Sequence, residues 1–554
     1  MTGKILTLIK KNLALIIAVG FALLAVIDLS HFGLPPTHDA EYHVMRFQQF
    51  YKEISQGIFY PRWAPDFNNG FGIPLFNYVY PLPNFVAALF HSLGFGFIDS
   101  FKLNMVLATL FGSIFFYLWS KKYWGTLGAM VSSIFYTFSP YHFVDIYVRG
   151  SVGEVWALAI FPALLWSYSE YSENKKNAYI VLSSVFLGLL IYSHNILALI
   201  SFIFFTLYAF ILIKKKRVFT QIKSFIFIVV MGFGLGAPFW LPAILETKYV
   251  TGLQLFDVTK NFTPIYKFFV PTWGFGLSPA DPLNPMSVQL GYANILAVLL
   301  SIFVCILSKR KKLLVFFIVS YFLIFFMMTS YSTIFWKIIP LISYFQFPWR
   351  LLGLEILISS FLVGSIFSLK YLDKKENIQI IIASVLIVIS VGLSFRYMKA
   401  PFYHQRLDSH YLTRSNFTDG TNSPGNSFNT LWLTKGLPKK QKDKVKIVNG
   451  QGSVGIVNAT ANDYVIVANS KKGMAIILNV AYFPAWQASI GNKKTLIYEK
   501  DGIVEIKVPK GRSVVEVKLT NTPIEAFACL YFLISLILLV LISNKSIDII
   551  NPIK

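Results

Sequence analysis

A short segment that follows the first long apolar run carries an unusual density of ionisable side chains. Between Thr37 and Gln49 lie two acids, two histidines and an arginine, and the apolar run from Leu13 to Ile27 closely precedes them. Ionisable groups are costly beside hydrocarbon and usually mark a site or a water-filled cavity. A carboxylate at this position therefore indicates chemistry at the edge of a membrane, on a lipid-linked substrate.

The spacing within this segment predicts which side chains act together. If a helix begins at Ala40, then Asp39, His43 and Arg46 share one of its faces, being at i, i+4 and i+7. On the functional interpretation, Asp39 is a general base or a metal ligand, with Glu41 nearby. The alternative is that Asp39 only caps the helix, since aspartate is favoured at that position. The neighbouring ionisable cluster favours the functional interpretation.

Four further ionisable residues are candidates for substrate binding. Arg149 can bind a phosphate with two parallel hydrogen bonds. Glu154 is either a group of the site or a carboxylate that favours a helix N-terminus. Arg62 and Arg350 each lie near a proline and a tryptophan. They are either phosphate ligands or interfacial anchors that reach lipid headgroups.

The remaining residues with chemical potential carry weaker signals. Glu355 lies within the first turns of an apolar segment, where a carboxylate needs a partner or a cavity. His194 occupies a tight hairpin, and a lone histidine there is more often structural than a ligand. Cys305 and Cys529 both lie in apolar runs and indicate neither a disulfide framework nor a cysteine metal site.

The composition predicts an integral membrane protein. The 554 residues are 55% hydrophobic and 14% charged, and the mean hydropathy is +0.58. Repeated apolar stretches of about 17–25 residues are typical of membrane helices. The net charge of +24 lies largely in short clusters between these stretches. This pattern favours positive-inside topology and argues against nucleic-acid binding.

Placing the basic clusters in the cytoplasm fixes a path for the chain. The clusters are Lys10-Lys11, Lys121-Lys122, Lys175-Lys176, Lys214 to Arg217, Lys309 to Lys312, Lys374-Lys375 and Lys545. This path predicts a multi-pass protein of the cell membrane with about twelve spans and both termini cytoplasmic. The expected spans are 12–30, 101–119, 124–141, 154–171, 177–193, 196–213, 222–243, 289–308, 313–330, 351–369, 378–395 and 524–543.

Two outer regions complete the predicted organisation. Within the first outer loop, 31–100, the apolar piece 81–97 is interpreted as interfacial or re-entrant, because a crossing there would invert the topology. Residues 396–523 contain alternating β-branched runs separated by turns, which predicts an antiparallel β-sandwich on the outer face. The expected division is a helical bundle at 1–395, this β-rich domain, and a last span with a cytoplasmic tail at 524–554.

Several stretches resemble a known superfamily. The layout of a first span followed by an outer acidic loop looks like the GT-C polytopic membrane glycosyltransferases. More narrowly, the chain resembles bacterial YfhO-like proteins and the 6-pyruvoyl-tetrahydropterin-synthase-related membrane family, whose name does not imply pterin chemistry. The stretches are His38-Asp-Ala-Glu-Tyr-His43, Tyr60-Pro-Arg-Trp63, Val148-Arg-Gly-Ser-Val-Gly-Glu154, Phe347-Pro-Trp-Arg350 and Tyr482-Phe-Pro-Ala-Trp486.

The resemblance implies transfer of a sugar from a polyprenyl-phosphate donor to a cell-envelope glycan or lipid on the outer face. Carried over, Asp39 matches the first-loop acid and Glu41 the second acid, although Ala40 separates the two. His43, Glu154 and the three arginines above become substrate-binding candidates. No cofactor is certain, and a divalent metal held by Asp39, Glu41 and His43 is an open alternative.

Two other classes of function compete with this interpretation. The first is a transporter or flippase for lipid-linked substrates, for which inverted repeats and broken helices at the midplane are typical. The second is a non-catalytic scaffold for envelope assembly that retains the architecture. The ionisable residues gather at the outer interface and the sequence contains no internal repeat, so the glycosyltransferase is the preferred hypothesis.

Overall fold

The chain folds as a predominantly helical bundle followed by a β-rich domain. The computed structural model describes residues 2–252, 257–276, 278–339, 344–372, 374–412, 427–433 and 439–543, with side chains from residue 12 onward. The helices are α1 Thr2–Ala25, α2 Ala40–Ile54, α3 Phe67–Gly70, α4 Leu82–Ser92, α5 Phe97–Thr137, α6 Pro140–Phe143, α7 Val152–Asn174, α8 Asn177–Ser193, α9 Asn195–Ile211, α10 Val218–Leu245, α11 Tyr292–Leu307, α12 Lys311–Met328, α13 Thr333–Ile338, α14 Leu352–Val363, α15 Glu376–Ser394, α16 Asp408–Leu412 and α17 Pro523–Ser543.

The helices coincide with the predicted membrane spans. Within the described residues, seven helices are long and apolar enough to cross a membrane, and four shorter apolar helices accompany them. The spans at 101–119 and 124–141 both fall in α5, which folds back on itself at Gly125 (φ 73°, ψ −174°). The Ser113 and Ser133 hydroxyls lie 2.9 Å apart across this hairpin. Helix α5 therefore supplies two antiparallel helices, as the sequence predicts.

Four of the basic clusters are held close to one another. The Lys122 ammonium lies 2.8 Å from Glu173 at the end of α7, beside the next cluster, Lys175-Lys176. The Arg310 guanidinium stacks 5.4 Å from the Tyr123 ring. Lys312 donates to the carbonyl of Ile211, near the cluster that begins at Lys214. These clusters therefore share one end of the bundle, as the predicted path requires. Lys545 and the tail 544–554 lie outside the described residues.

The first outer loop contains two of the shorter helices. At 1.5 Å per residue, the 11 residues of α4 span about 16 Å, roughly half of the ~30 Å hydrocarbon core. This length agrees with an interfacial or re-entrant piece. Helix α2 begins at Ala40, as the functional interpretation of Asp39 requires, and most of its 15 residues are buried against neighbouring elements.

The C-terminal domain is a seven-stranded antiparallel sheet. Strand β2 is long enough to pair with three others: β1 runs along most of its length, β7 pairs with 463–470, and β6 pairs with its second half. The strand order is therefore β4-β3-β7-β2-β6-β5, with β1 also on β2. The division of the chain after residues 395 and 523 stays a prediction. The strands are β1 Val445–Ala459, β2 Asp463–Ala481, β3 Trp486–Ile490, β4 Lys493–Thr495, β5 Ile497–Lys500, β6 Ile503–Val508 and β7 Gly511–Leu519.

The first outer loop contributes side chains to the core of the β-domain. Trp63 is 1% exposed and packs edge-on against Trp486 with ring centroids 5.5 Å apart. Phe71 belongs to the same apolar cluster, and its carbonyl accepts a hydrogen bond from the Ala481 N–H at 2.8 Å. Trp63 is thus a core residue of the β-domain, a position that neither interpretation of the Arg62 motif anticipated.

Helix α17 packs closely on α10 through a glycine. A Cβ at Gly234 would overlap the Ser535 hydroxyl, whereas a Cβ at Gly20 in α1 would meet no atom within 4 Å. Small residues allow membrane helices to approach closely. We therefore expect Gly234→Leu to destabilise the protein by about 1–3 kcal/mol through overpacking.

Thermal unfolding of the purified protein in detergent measures this effect. Gly20→Leu is the matched control, because it makes the same change in a helix without the overlap. Equal melting temperatures for the two variants would contradict the packing.

Candidate active site

The start of α2 is fixed against the turn that precedes α7. The His38 N–H donates to the Val148 carbonyl at 3.1 Å, and the Asp39 N–H donates to the Arg149 carbonyl at 3.0 Å. Gly150 follows in the left-handed conformation (φ 64°). A Cβ there would overlap the Thr37 side chain, so the close approach of the two segments depends on glycine. This pairing places Asp39 beside Arg149.

The side chain of Asp39 does not cap α2. No side-chain capping hydrogen bond is made from Asp39, and the Thr37 hydroxyl instead accepts the Ala40 N–H at 3.1 Å. The Asp39 residue as a whole is only partly buried. The capping interpretation therefore does not explain this aspartate.

Arg149 and Glu154 form a buried ion pair next to Asp39. The two Arg149 terminal nitrogens lie 2.5 and 2.6 Å from the two Glu154 carboxylate oxygens. Asp145 Oδ1 lies 2.5 Å from the same guanidinium, and the Tyr141 hydroxyl donates to Glu154 at 3.1 Å. The ring of Trp349 lies 4.9 Å from the Arg149 guanidinium carbon. Glu154 is thus a member of a charged cluster, and its carboxylate is fully buried.

A π-helical turn, Val144–Arg149, presents two members of this cluster. Such turns are rare and are frequent at functional sites. Burial, reinforced by the Glu154 charge, raises the pKa of Asp145 well above its ordinary value. Within the described residues, Asp145 Oδ2 has no hydrogen-bond partner. The Asp145 carboxyl is therefore harder to ionise than an ordinary aspartate, although its Oδ1 contacts the Arg149 guanidinium.

Arg350 and His194 approach the same carboxylate from other helices. Arg350 Nε lies 3.4 Å from Glu154 Oε1, and one of its terminal nitrogens donates to the Gln346 side chain at 2.9 Å. His194 Nδ1 accepts the Leu197 N–H at 3.2 Å, capping α9. Its Nε2 lies 3.7 Å from Glu154 Oε1. Burial lowers the pKa of His194 to about 3, so the neutral ring carries its proton on Nε2 and directs it at Glu154.

The electrostatic surroundings of Asp39 are mixed. Burial raises the pKa of Asp39, while the positive charges of Arg149, Arg46 and Arg350 act in the opposite direction and Glu154 adds to the increase. The net shift is upward. A carboxylate with a raised pKa is a stronger base when it is ionised, which is the property a general base requires.

The other candidate residues of the segment 37–49, His43 and Glu41, have different partners. His43 is 2% exposed and stacks on Phe47, and burial lowers its pKa well below the ordinary value. The Glu41 carboxylate lies 3.8 Å from Arg406. Among the described residues, no three His, Cys, Asp or Glu side chains are grouped so as to hold a metal ion. The geometry therefore gives no support to a metal at Asp39, Glu41 and His43.

Arg62 belongs to a separate buried cluster. Its guanidinium lies 3.1 Å from Glu525 at the start of α17 and donates to the Asn77 side chain at 3.2 Å. Asn77 in turn donates to Glu246 at 3.3 Å. The hydroxyl of Thr522 also donates to Glu246, and burial raises the pKa of this carboxyl to about 7. The structure does not bring Arg62 to the Arg149 cluster.

Several members of the site were missed by sequence reasoning. Tyr141, Asp145, Trp349 and Tyr80 all contact the cluster or lie within its electrostatic range. The spacing of Asp145, Arg149 and Glu154 in one loop was a usable signal for Asp145, whereas the aromatic residues resembled ordinary core positions. Glu355 is buried, and neither of its carboxyl oxygens has a hydrogen-bond partner within the described residues.

Comparison with known proteins gives one family match. A family model described as "6-pyruvoyl-tetrahydropterin synthase related domain; membrane protein" matches residues 76–398, more than half of the chain. This range contains Arg149, Glu154, His194 and Arg350, while Asp39 precedes it. A search of curated proteins found no match.

Two solved structures show weak similarity. The arabinofuranosyltransferase AftD from Mycobacteria has a TM-score of 0.45 and 13% identity, over 70% of this chain and 27% of that one. The oligosaccharyltransferase of Archaeoglobus fulgidus has a TM-score of 0.44 and 10% identity, over 72% of this chain and 55% of that one. This chain thus spans about a quarter and about half of their lengths. At these scores, neither protein's activity bears on this chain.

The pairing of 37–40 with 148–150 can be tested through one glycine. Gly150→Ala and Gly57→Ala impose the same left-handed strain, but only Gly150 lies against another segment. We expect Gly150→Ala to speed amide exchange at His38 and Asp39 by at least about tenfold, which corresponds to ~1.4 kcal/mol of lost protection.

Hydrogen exchange read by mass spectrometry over the peptide that contains 37–40 gives the result. Gly57→Ala should leave that peptide at the wild-type rate. The docking of the two segments is refuted if both alanine variants exchange alike.

Proposed function

The chain belongs to the 6-pyruvoyl-tetrahydropterin synthase related family of membrane proteins, and from that premise we propose that it is a glycosyltransferase of the GT-C type. It moves a sugar from a polyprenyl-phosphate donor to a glycan or lipid acceptor of the cell envelope. The observation that carries the proposal is Asp39: a residue that is only partly buried, whose carboxyl has a raised pKa, does not cap its helix and has three arginines around it.

Asp39 is the general base in this proposal. The acceptor hydroxyl attacks the anomeric carbon, its proton passes to the Asp39 carboxylate, and the bond from that carbon to the phosphate oxygen breaks. Prenyl phosphate leaves, and a single displacement inverts the anomeric configuration. A positioned base typically contributes about 10²–10⁴-fold to the rate.

The charge balance of the cluster suits an anionic donor. Arg46, Arg149 and Arg350 face Asp39 and Glu154, while Asp145 is shifted toward its neutral form. The field of the three arginines would stabilise the phosphate as it gains charge on leaving. The Arg149 guanidinium is already bonded to Glu154, so it contributes mainly through its field. Arg350, whose Nε makes no hydrogen bond within the described residues, is the better direct ligand.

The remaining candidates take supporting roles. His43 and Glu154 hold the shape and charge of the site, and Glu41 is a second acid whose role depends on whether Arg406 releases it. We do not assign Arg62 as a phosphate ligand, because its guanidinium already contacts Glu525 and Asn77. The basic clusters at the opposite end of the bundle support a cell-membrane location with cytoplasmic termini and an outward-facing site.

Removal of the Asp39 carboxylate tests the proposal directly. Asp39→Asn should lower sugar transfer from a polyprenyl-phosphate donor by about 10²–10⁴-fold, because the amide cannot accept the proton. Glu41→Gln is the matched carboxylate-to-amide control two residues away and should cost much less. Transfer by purified protein in lipid nanodiscs is the measurement, with melting temperature as the check on folding.

Other outcomes of this experiment favour the competing functions. Full transfer by Asp39→Asn excludes the aspartate as base. A flippase would move the donor across the bilayer without consuming it. A scaffold would tolerate alanine at both Asp39 and Arg149 when cellular function is scored.

The pH dependence provides a second test. The base must be ionised, so kcat/KM falls as the pH drops through the pKa of Asp39. Since this pKa is raised, the fall of kcat/KM on the acidic side of the pH profile (the acidic limb) should be centred above the ordinary aspartate pKa of about 3.9. Arg350 lowers the pKa of Asp39, so Arg350→Gln should move the limb to still higher pH. A limb that stays in place or moves to lower pH in this variant contradicts the assignment.

A further inference from the structure

A cleft with a mixed polar and apolar lining lies between the first outer loop and the β-domain. Its volume is about 350 Å³, and its walls are the segment after α2 on one side and the two chain segments at 460–463 and 518–521 on the other. This volume lies within the ~300–1,000 Å³ typical of small-molecule sites. The residues that bear on its chemistry are Tyr60, Thr460, Asn462, Asp463, Lys518 and Asn521.

We propose that this cleft binds a neutral sugar segment. The claim concerns binding and stands apart from transfer. A further role of the cleft, as the subsite for the acceptor glycan, rests on the proposed function.

The lining is rich in groups that both donate and accept hydrogen bonds. Amide side chains come from Gln56, Asn462 and Asn521, and hydroxyls come from Thr460 and Thr520. Sugar hydroxyls require this combination, because each is a donor and an acceptor at once. An apolar ligand would leave these groups without partners, at a cost in affinity.

The charges that line the cleft are already paired. The Lys518 ammonium lies 2.9 Å from Asp463, and the Arg62 guanidinium lies 3.1 Å from Glu525. No charged group in the lining is therefore left over to attract an anion. The balance favours an uncharged ligand over a phosphate or an acidic sugar.

One buried acceptor in the lining lacks a partner. Asn462 Oδ1 is inaccessible to solvent and makes no hydrogen bond within the described residues. Behind it, the Asn462 side chain interacts with Glu53, a carboxyl whose pKa burial raises to about 8. Buried polar atoms normally make a hydrogen bond, so this oxygen lacks a donor, which an O–H group could provide. The partly exposed Asn462 side chain would turn toward the cleft for a ligand hydroxyl to supply one.

The walls are held in place before a ligand arrives. The Gln56 side-chain oxygen accepts the Ala461 N–H at 2.7 Å across the interface. The Thr520 N–H donates to the Ala485 carbonyl at 2.9 Å. Trp63 inserts into the β-domain core beside the cleft. A rigid site of this kind loses little entropy on binding, which favours a specific ligand.

The test uses the full-length protein in lipid nanodiscs and an array of neutral and anionic oligosaccharides. We expect binding to neutral glycans, and at least about tenfold weaker binding by Asn462→Ala for the strongest of them in a titration. Asn469→Ala is the matched control, since Asn469 lies exposed on β2 away from the lining. It should bind as the wild type does.

The outcomes separate this proposal from the proposed enzyme. Absence of glycan binding, preference for anionic glycans, or equal loss in both asparagine variants each overturns the cleft assignment. Asp39→Asn should still bind the same glycan in the cleft, because Asp39 is not among the residues that line it. If it does so and also retains full transfer, the catalytic proposal fails while the cleft stands.

Discussion

The buried ion pair between Arg149 and Glu154 is the interaction on which the site depends. Breaking such a pair typically costs about 3–5 kcal/mol, because the remaining charge has no water to solvate it. The Arg149 carbonyl accepts a hydrogen bond from the Asp39 N–H and so fixes the Asp39 backbone. The Glu154 carboxylate contacts Tyr141, His194 and Arg350, which lie on three other elements. One pair therefore sets the positions of the residues that surround Asp39.

This arrangement explains why so many charges are placed beside apolar helices. A low-dielectric surrounding strengthens each ion pair, and it also raises the cost of any charge left without a partner. The result is a preorganised field around Asp39. The same burial holds Asp145 toward its neutral form and keeps His194 neutral.

The sequence predicted local features well and distant pairings poorly. The helical spans, the fold-back near Gly125 and the start of α2 at Ala40 follow from apolar length and from spacing along the chain. The partners of Arg62 do not, because Glu525 is hundreds of residues away in sequence. Interfacial anchoring was one of two interpretations of the Arg62 motif, and its tryptophan, Trp63, packs in the β-domain. Tryptophan beside arginine and proline has the same local pattern in both environments, so only the tertiary structure distinguishes them.

Helix α2 relates the two proposed sites to each other. Asp39 immediately precedes it, and Gln56, in the wall of the cleft, lies just beyond its last residue, Ile54. Fifteen residues at 1.5 Å each make the helix about 22 Å long. Both ends are fixed, one by the Arg149 carbonyl and the other by the Ala461 N–H. A glycan held in the cleft must therefore extend over a comparable distance to present a hydroxyl to Asp39, which favours an acceptor of several sugar units over a single sugar.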